Sequence, residues 1–420
     1  MYRLLYSTLW YLLCPFILIR LFLRARKNPE YKKNWRQRFG HIHAEHKPRI
    51  WLHAVSVGET MAARPLIEAI LAHYPHHRLL LSNTTPTGSQ TAKRLFGSHV
   101  EHNFFPYDLP HAVQRFLDTT QPDILIIMET ELWPNLLSQC QRRNIPVIIA
   151  NARLSARSTQ GYQRITKLIT PAIQCITQIA CRSEQDAQHF QQLGASKAQT
   201  IVTGNIKFDI TLPTTQTTIS VRSQLAADAL VWVAASTHQG EDSQILTLYQ
   251  TLKKQLPSLV LILVPRHPER FDRVHALCAA SGFCVQRRSQ TKHFDKQCEI
   301  ILGDSLGEMA LWYKAADVVF MGGSLVNTGG HNPLEASIFG KPVVSGPATF
   351  NFHDVFDLLC GAQVAWVAAD TTALQKRVLK LLSAPPDERL AIAEQATQVL
   401  MQQRGVTQRL MKQIQHNLPH

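Results

Sequence analysis

At 420 residues and +14 formal charge, the chain is too long for one ordinary core and calls for two or three domains. Its 45% hydrophobic and 18% charged content excludes a disordered or low-complexity protein, and the surplus charge points to an anionic partner: nucleic acid, anionic lipid or a phosphorylated substrate. Eight cysteines without a Cys-x-x-Cys pair exclude a disulfide scaffold and fit a reduced, cytosolic setting.

The chain begins with LLYSTLWYLLCPFILI, Leu4 to Ile19, apolar or aromatic apart from Ser7 and Thr8. This is slightly short of the roughly 20 residues that span a bilayer comfortably. Directly after it come Arg20, Arg24, Arg26, Lys27, Lys32, Lys33, Arg36 and Arg38 against a single acid, Glu30. Half of the charge surplus therefore sits in one short stretch. Basic residues behind an apolar run argue against a cleaved signal peptide. They suit either a short signal-anchor or a helix lying in the membrane interface, with the cluster on the cytoplasmic side.

An α/β pattern follows. Short apolar runs at 50–55, 78–84, 100–108, 124–128, 146–151 and 199–205 read as strands, with a helical stretch from about Glu59 to His73. Such alternation implies a parallel sheet with right-handed crossovers. The Thr-rich 211–220 reads as a connection. Strands then resume at 230–236, 259–265, 284–288, 299–304, 317–323 and 341–346, and the chain from Pro386 to Gln415 is helical in propensity. The expected organisation is a membrane anchor and basic segment (1–38), a first Rossmann-like domain (39–210), a linker (211–222) and a second doubly wound domain (223–420). The last helix would pack back on the first domain. Two such sheets facing each other would place ligands at their strand ends.

Five constellations sit at those ends. In HAVSVGET (53–60), Glu59 opens a helix where a carboxylate could accept a proton from a substrate hydroxyl; Ser56-x-x-Glu59 equally fits a capping box. In METELWPN (128–135), Glu129 and Glu131 follow a fully apolar strand, which is costly unless they are solvated or paired. Lys207 in TGNIKFD (203–209) could meet a phosphate or carboxylate, and Arg266 and His267 in PRHPER (265–270) could hold an anionic donor. The fifth is MGGSLVNTGGHNPLEA (321–336), where glycines permit close backbone approach and Asn332-Pro333 opens a helix whose amides suit a phosphate. Glu335 suits a ribose hydroxyl better, or caps with Asn332. Upstream, Leu306-Gly307-Glu308 gives another glycine-led helix start. Neither metal-ligand spacing, a Walker A motif nor an Asp-x-Asp motif occurs, so a metal-independent reaction is expected.

Read together, HAVSVGET, LSNTTPTGSQTAKRLF, FFPYDLP, METELWPN, NARLSARS, TGNIKFD, VPRHPERF, GDSLGEM and GGSLVNTGGHNPLEA resemble, in this order and over nearly the whole chain, the bacterial 3-deoxy-D-manno-octulosonic acid (Kdo) transferases of the lipid A pathway. The resemblance implies a GT-B fold, an inner-membrane location with the catalytic domains on the cytoplasmic side, CMP-Kdo as donor, and a lipid A precursor as acceptor. It also implies inversion at the anomeric carbon with neither metal nor cofactor. Glu59 falls on the family's proton acceptor, and Glu129 and Lys207 on its transition-state stabilisers. Arg266 and His267, Leu306, Gly307 and Glu308, and Asn332, Pro333, Leu334 and Glu335 fall on its CMP-binding stretches. Two rivals remain: another GT-B transferase or epimerase using a UDP-sugar, and a non-enzymatic basic protein, which would spread its cations over one face with interleaved aromatics. Nucleic acid is not an expected partner.

Overall fold

The computed structural model describes residues 1–27, 29–43, 50–209 and 220–418. The chain divides into two compact units, Met1–Asp209 with Gln403–His420, and Ile210–Gln402. Most of the expected linker, residues 211–219, lies outside the described residues.

The first unit is built on seven parallel strands: β1 Ile50–His53, β2 Leu79–Asn83, β3 Glu101–Phe104, β4 Ile124–Met128, β5 Val147–Ala152, β6 Gln178–Cys181 and β7 Thr200–Val202. Their order is β3-β2-β1-β4-β5-β6-β7. The run ILIIM is buried at all five positions, as a strand covered on both faces must be. Alternate strand residues feed two cores. Trp51, Leu80, Leu125 and Ile127 face one side; Ile50, Leu52, Leu81 and Ile126 face the other. That second side is closed by Leu66 and Ile70 of the Val57–His73 helix and by Leu410 and Ile414 of the Val406–Asn417 helix. The segment expected to be helical from Pro386 to Gln415 is two helices, Pro386–Gln403 and Val406–Asn417. They part at Gly405, whose φ of 84° an L side chain rarely adopts. Asp209 then accepts the N–H groups of Gly405, at 2.8 Å, and Thr407, which anchors the final helix to the first unit.

The apolar N-terminus and its first basic residues form one continuous helix, Tyr2–Lys27, about 39 Å long at 1.5 Å per residue. Its Tyr2–Arg26 stretch is long and apolar enough to cross a membrane, with mean hydropathy 1.7 over an 18-residue window. Arg3, Tyr6, Ser7, Trp10, Cys14, Ile17, Leu18 and Leu21 are partly or fully buried. The three-and-four spacing makes them a single stripe along the helix. Ser7 donates to Asn135 Oδ1 at 3.1 Å, and Trp10 lies against Tyr107 and Trp133 with ring centroids 6.1 and 6.4 Å away. The opposite face, including Leu4, Leu12 and Phe16, is about two-thirds exposed. Arg38 does not belong to the basic surface: it is buried, lies 4.4 Å over the Phe104 ring and donates to the Thr84 carbonyl at 2.9 Å.

The second unit repeats the plan with β8 Leu230–Thr237, β9 Leu259–Pro265, β10 Val285–Arg287, β11 Ile300–Leu302, β12 Val318–Met321, β13 Val343–Ser345 and β14 Ala365–Val367. All are parallel, in the order β10-β11-β9-β8-β12-β13-β14. Its core joins Trp232, Phe320 and Leu261 to Tyr249 and Leu252 of the Glu241–Gln255 helix. In each sheet the strand order reverses beside one central strand, β1 or β8, which marks the edge where α/β domains place their ligands.

Candidate functional site

In the first unit, the carboxyl ends of β1, β4, β5 and β6 bring three carboxylates and one guanidinium together. Both readings of Glu59 have a geometric basis. Ser56 caps the Val57–His73 helix by accepting the Glu59 N–H. The Glu59 carboxylate reciprocates, accepting from the Val55 N–H at 2.7 Å and the Ser56 hydroxyl at 3.1 Å. This arrangement differs from a capping box in reaching the N–H one residue before the cap, and it fixes the carboxylate in place. Burial raises its pKa, the Val55 hydrogen bond opposes this, and the nearby Glu129 raises it again; the balance is about 7. A carboxylate half-ionised at neutral pH is matched to general base work.

Glu129 leaves β4 in a left-handed conformation, φ 59°, which costs of order 1 kcal/mol for a non-glycine residue. Its carboxylate accepts from Arg182 at 2.6 Å. Arg182 is nearly fully buried and also donates to the Asn151 carbonyl at 3.2 Å. Asn151, itself at φ 57°, accepts the Ile206 N–H on its side chain at 3.0 Å. That bond seats the short Ile206–Phe208 turn carrying Lys207, whose own N–H bonds the Asn205 side chain. Glu131 completes the group, its carboxyl pushed to about 7 by burial and by the Glu59 charge.

In the second unit the expected residues fall at the carboxyl edge, in differing environments. Arg266 and His267 are exposed just beyond β9, and the Arg266 N–H is tied to the Thr237 carbonyl at 3.0 Å. Leu306 is 74% exposed, and Gly307, at φ 80°, turns the chain into Glu308. Glu308 is committed to a bidentate pair with Arg288 at 3.0 and 2.7 Å, and to the Ser305 hydroxyl. Pro333 and Leu334 are buried. The helix expected behind Asn332 is a single turn, Leu334–Ser337, too short for a macrodipole argument. Asn332 accepts the Leu334 N–H at 3.2 Å, but no capping box closes with Glu335, whose partner is the Tyr313 hydroxyl at 3.5 Å.

The first part of the glycine loop has a partner within the fold. The amides of Gly323, Ser324 and Leu325 donate at 2.7 to 2.9 Å to Glu241, a fully buried carboxylate that also takes the His238 N–H. Those amides are therefore not open to a phosphate. Beside this clamp, His238, His267 and His331 meet.

The residue types at motif ends did not single out Arg182, Glu241, Arg288, His238 or His331. Arg182 follows β6, a four-residue strand too weakly patterned to read. His331 lay inside a quoted motif, and its place after a glycine pair was the available signal. Among the described residues, no group of three or more His, Cys, Asp or Glu is placed to hold a metal ion.

Comparison with known proteins adds a family. A family model described as 3-deoxy-D-manno-octulosonic-acid transferase (kdotransferase) matches residues 33–210. The 3-deoxy-D-manno-octulosonic acid transferase of Haemophilus influenzae is 40% identical over 98% of this chain and 97% of its own. That of Bordetella pertussis is 36% identical over 86% of each. A crystal structure of a glycosyltransferase from Rickettsia africae covers 89% of this chain and 98% of its own, with a TM-score of 0.56 and 12% identity, a likeness of fold alone.

Proposed function

The chain belongs to the 3-deoxy-D-manno-octulosonic acid (Kdo) transferase family, and from that premise we propose that it transfers Kdo from CMP-Kdo to a lipid A precursor. It is a glycosyltransferase of lipopolysaccharide synthesis, built from two doubly wound domains of GT-B type. In this reading the first domain takes the acceptor and the second takes the nucleotide, through Arg266, His267, Leu306 to Glu308 and Asn332 to Glu335.

The observation that carries the mechanism is the Glu59 carboxylate, locked by Val55 and Ser56 and poised near pKa 7. Ionised Glu59 removes the proton of the acceptor hydroxyl as its oxygen attacks the anomeric carbon of Kdo. The bond from that carbon to the CMP phosphate oxygen breaks, CMP leaves with the electron pair, and the configuration inverts. Glu59 later returns the proton to water. Glu129 and Lys207 stabilise the charge that develops, Glu129 being held by Arg182 and Lys207 by the turn bound to Asn151. The reaction uses no metal and no cofactor.

The exposed apolar face of the Tyr2–Lys27 helix and the cations behind it support attachment to an anionic inner membrane, with the domains on the cytoplasmic side. The continuous stripe that packs this helix on the first domain favours lying in the interface over spanning. Mass analysis of the products from CMP-Kdo and a lipid A precursor tests the reaction: a Kdo adduct is expected, and a hydrolysed donor with an unchanged acceptor would refute it. Calorimetry should show CMP binding more tightly than UDP; the reverse would favour a UDP-sugar enzyme.

A further inference from the structure

Three imidazoles of the second domain converge at the ends of neighbouring strands. His238 follows β8, His267 follows β9, and His331 lies in the loop beyond β12, so the group straddles the point where the strand order reverses. The His238 and His331 rings stack, with centroids 5.1 Å apart and planes at 18°. Their Nε2 atoms are 2.9 Å apart, one donating to the other. His267 meets His238 edge-on at 5.2 Å.

The backbone is shaped to permit this. Gly323 has φ 71°, and a Cβ there would lie 3.3 Å from the His331 ring and 2.8 Å from Thr328 Oγ1. Glu241 ties the His238 amide to those of the Gly323 loop, which fixes the two rings' supports to one another. The charged and titratable groups facing His238 are Glu241, His267, Arg270 and Arg266; those facing His331 are Arg266, His238 and His267. Glu241, the one acid among them, already receives four N–H groups. Arg270 is already paired with the buried Asp242 carboxylate, which leaves Arg266 and imidazoles that can become cations. Burial and then these cations keep His331 well below its ordinary pKa, at about 4. Gathering groups of one sign is unfavourable by itself, and an oxyanion offsets it.

We propose that the His238–His331 pair, with Arg266 beside it, contacts an oxyanion of the donor directly and takes up a proton when that anion binds. This rests on the CMP-Kdo reading above, which assigns neither histidine a role. The oxyanion is either the nucleotide phosphate or the sugar carboxylate. The phosphate would gain most, since it changes from a diester with one charge to a departing monoester that carries a second. The protonated pair would then donate its N–H groups to that oxygen as the glycosyl bond breaks.

The test compares the full-length protein with His238→Gln and His331→Gln. CMP binding is measured by calorimetry at about pH 7.5 in two buffers of different protonation enthalpy, together with KM for CMP-Kdo. Wild type is expected to bind CMP with net proton uptake. Each variant is expected to bind about tenfold or more weakly, as for loss of a hydrogen bond to a charged group, and to lose the uptake. A rise in CMP-Kdo KM at unchanged CMP affinity identifies the carboxylate instead of the phosphate. Variants that keep CMP affinity, CMP-Kdo KM and proton uptake overturn the proposal and leave the pair a packing feature. Wild type that fails to bind CMP overturns the donor reading itself, and this proposal with it. Melting curves report whether each variant folds, and His238→Gln alone carries the comparison where His331→Gln does not.

Discussion

Replacing Glu59 by Gln separates its two roles. The carboxyl moves from an ordinary 4.5 to about 7, and each unit is worth about 1.4 kcal/mol, so the ionised form costs about 3–4 kcal/mol of folded stability. Because the folded pKa is the raised one, the folded state keeps a proton that the unfolded chain has already released. The cost is absent below about pH 4.5, grows as pH rises towards 7, and is complete above it. Glutamine stays neutral, can still accept the Val55 N–H, and can donate to Ser56. Thermal unfolding of Glu59→Gln against pH should therefore show little change at about pH 4.5 and a gain of up to about 3 kcal/mol near pH 8. Turnover should fall by about 10²–10⁴-fold with CMP binding intact. In wild type, kcat/KM should climb with pH through about 7 and level off. A variant that melts lower at every pH yet keeps its turnover would show that Glu59 only caps the helix.

Glu131 titrates in the same range, so the profile belongs to the coupled carboxylates; Glu131→Gln should sharpen it and move its midpoint down, which a pH-rate series will reveal. Arg182→Met leaves Glu129 without its buried partner and should cost about 2–4 kcal/mol in denaturant unfolding, while moving the same midpoint up. Leu12→Glu with Phe16→Glu, both on the exposed face of the N-terminal helix, should abolish flotation with anionic vesicles and leave the melting temperature unchanged. Arg38→Ala should do the opposite, lowering stability through the lost Phe104 and Thr84 contacts while vesicle binding persists. A truncation meant to release the protein from membranes should accordingly stop short of Arg38.

The alternation of apolar runs and helices exposed most of both sheets, because strands covered on both faces need unbroken apolar sequence. β6 and β14, Gln-Ile-Ala-Cys and Ala-Trp-Val, were not read as strands. Glu59, Glu129 and Glu131 were visible as acids at strand ends, but their partner Arg182 depended on β6 and was not. In the second domain the glycine loop read as backbone that a ligand approaches closely, with no sign that its amides were already taken. The occupant of those amides, Glu241, lies some eighty residues earlier in sequence, and no local spacing can announce a contact of that range. The apolar stretch at the N-terminus suggested a helix of about bilayer length, while the stripe that docks it needs the positions of Tyr107, Trp133 and Asn135.

The Glu241 clamp bears on how this enzyme could change its donor. Its carboxylate saturates the glycine-loop amides from within, so the loop's shape is settled by folding and owes nothing to the nucleotide. Discrimination among sugar nucleotides is left to replaceable side chains around a rigid backbone. Substitutions at those positions can therefore be sampled, by selection or in the laboratory, without unravelling the platform that presents them.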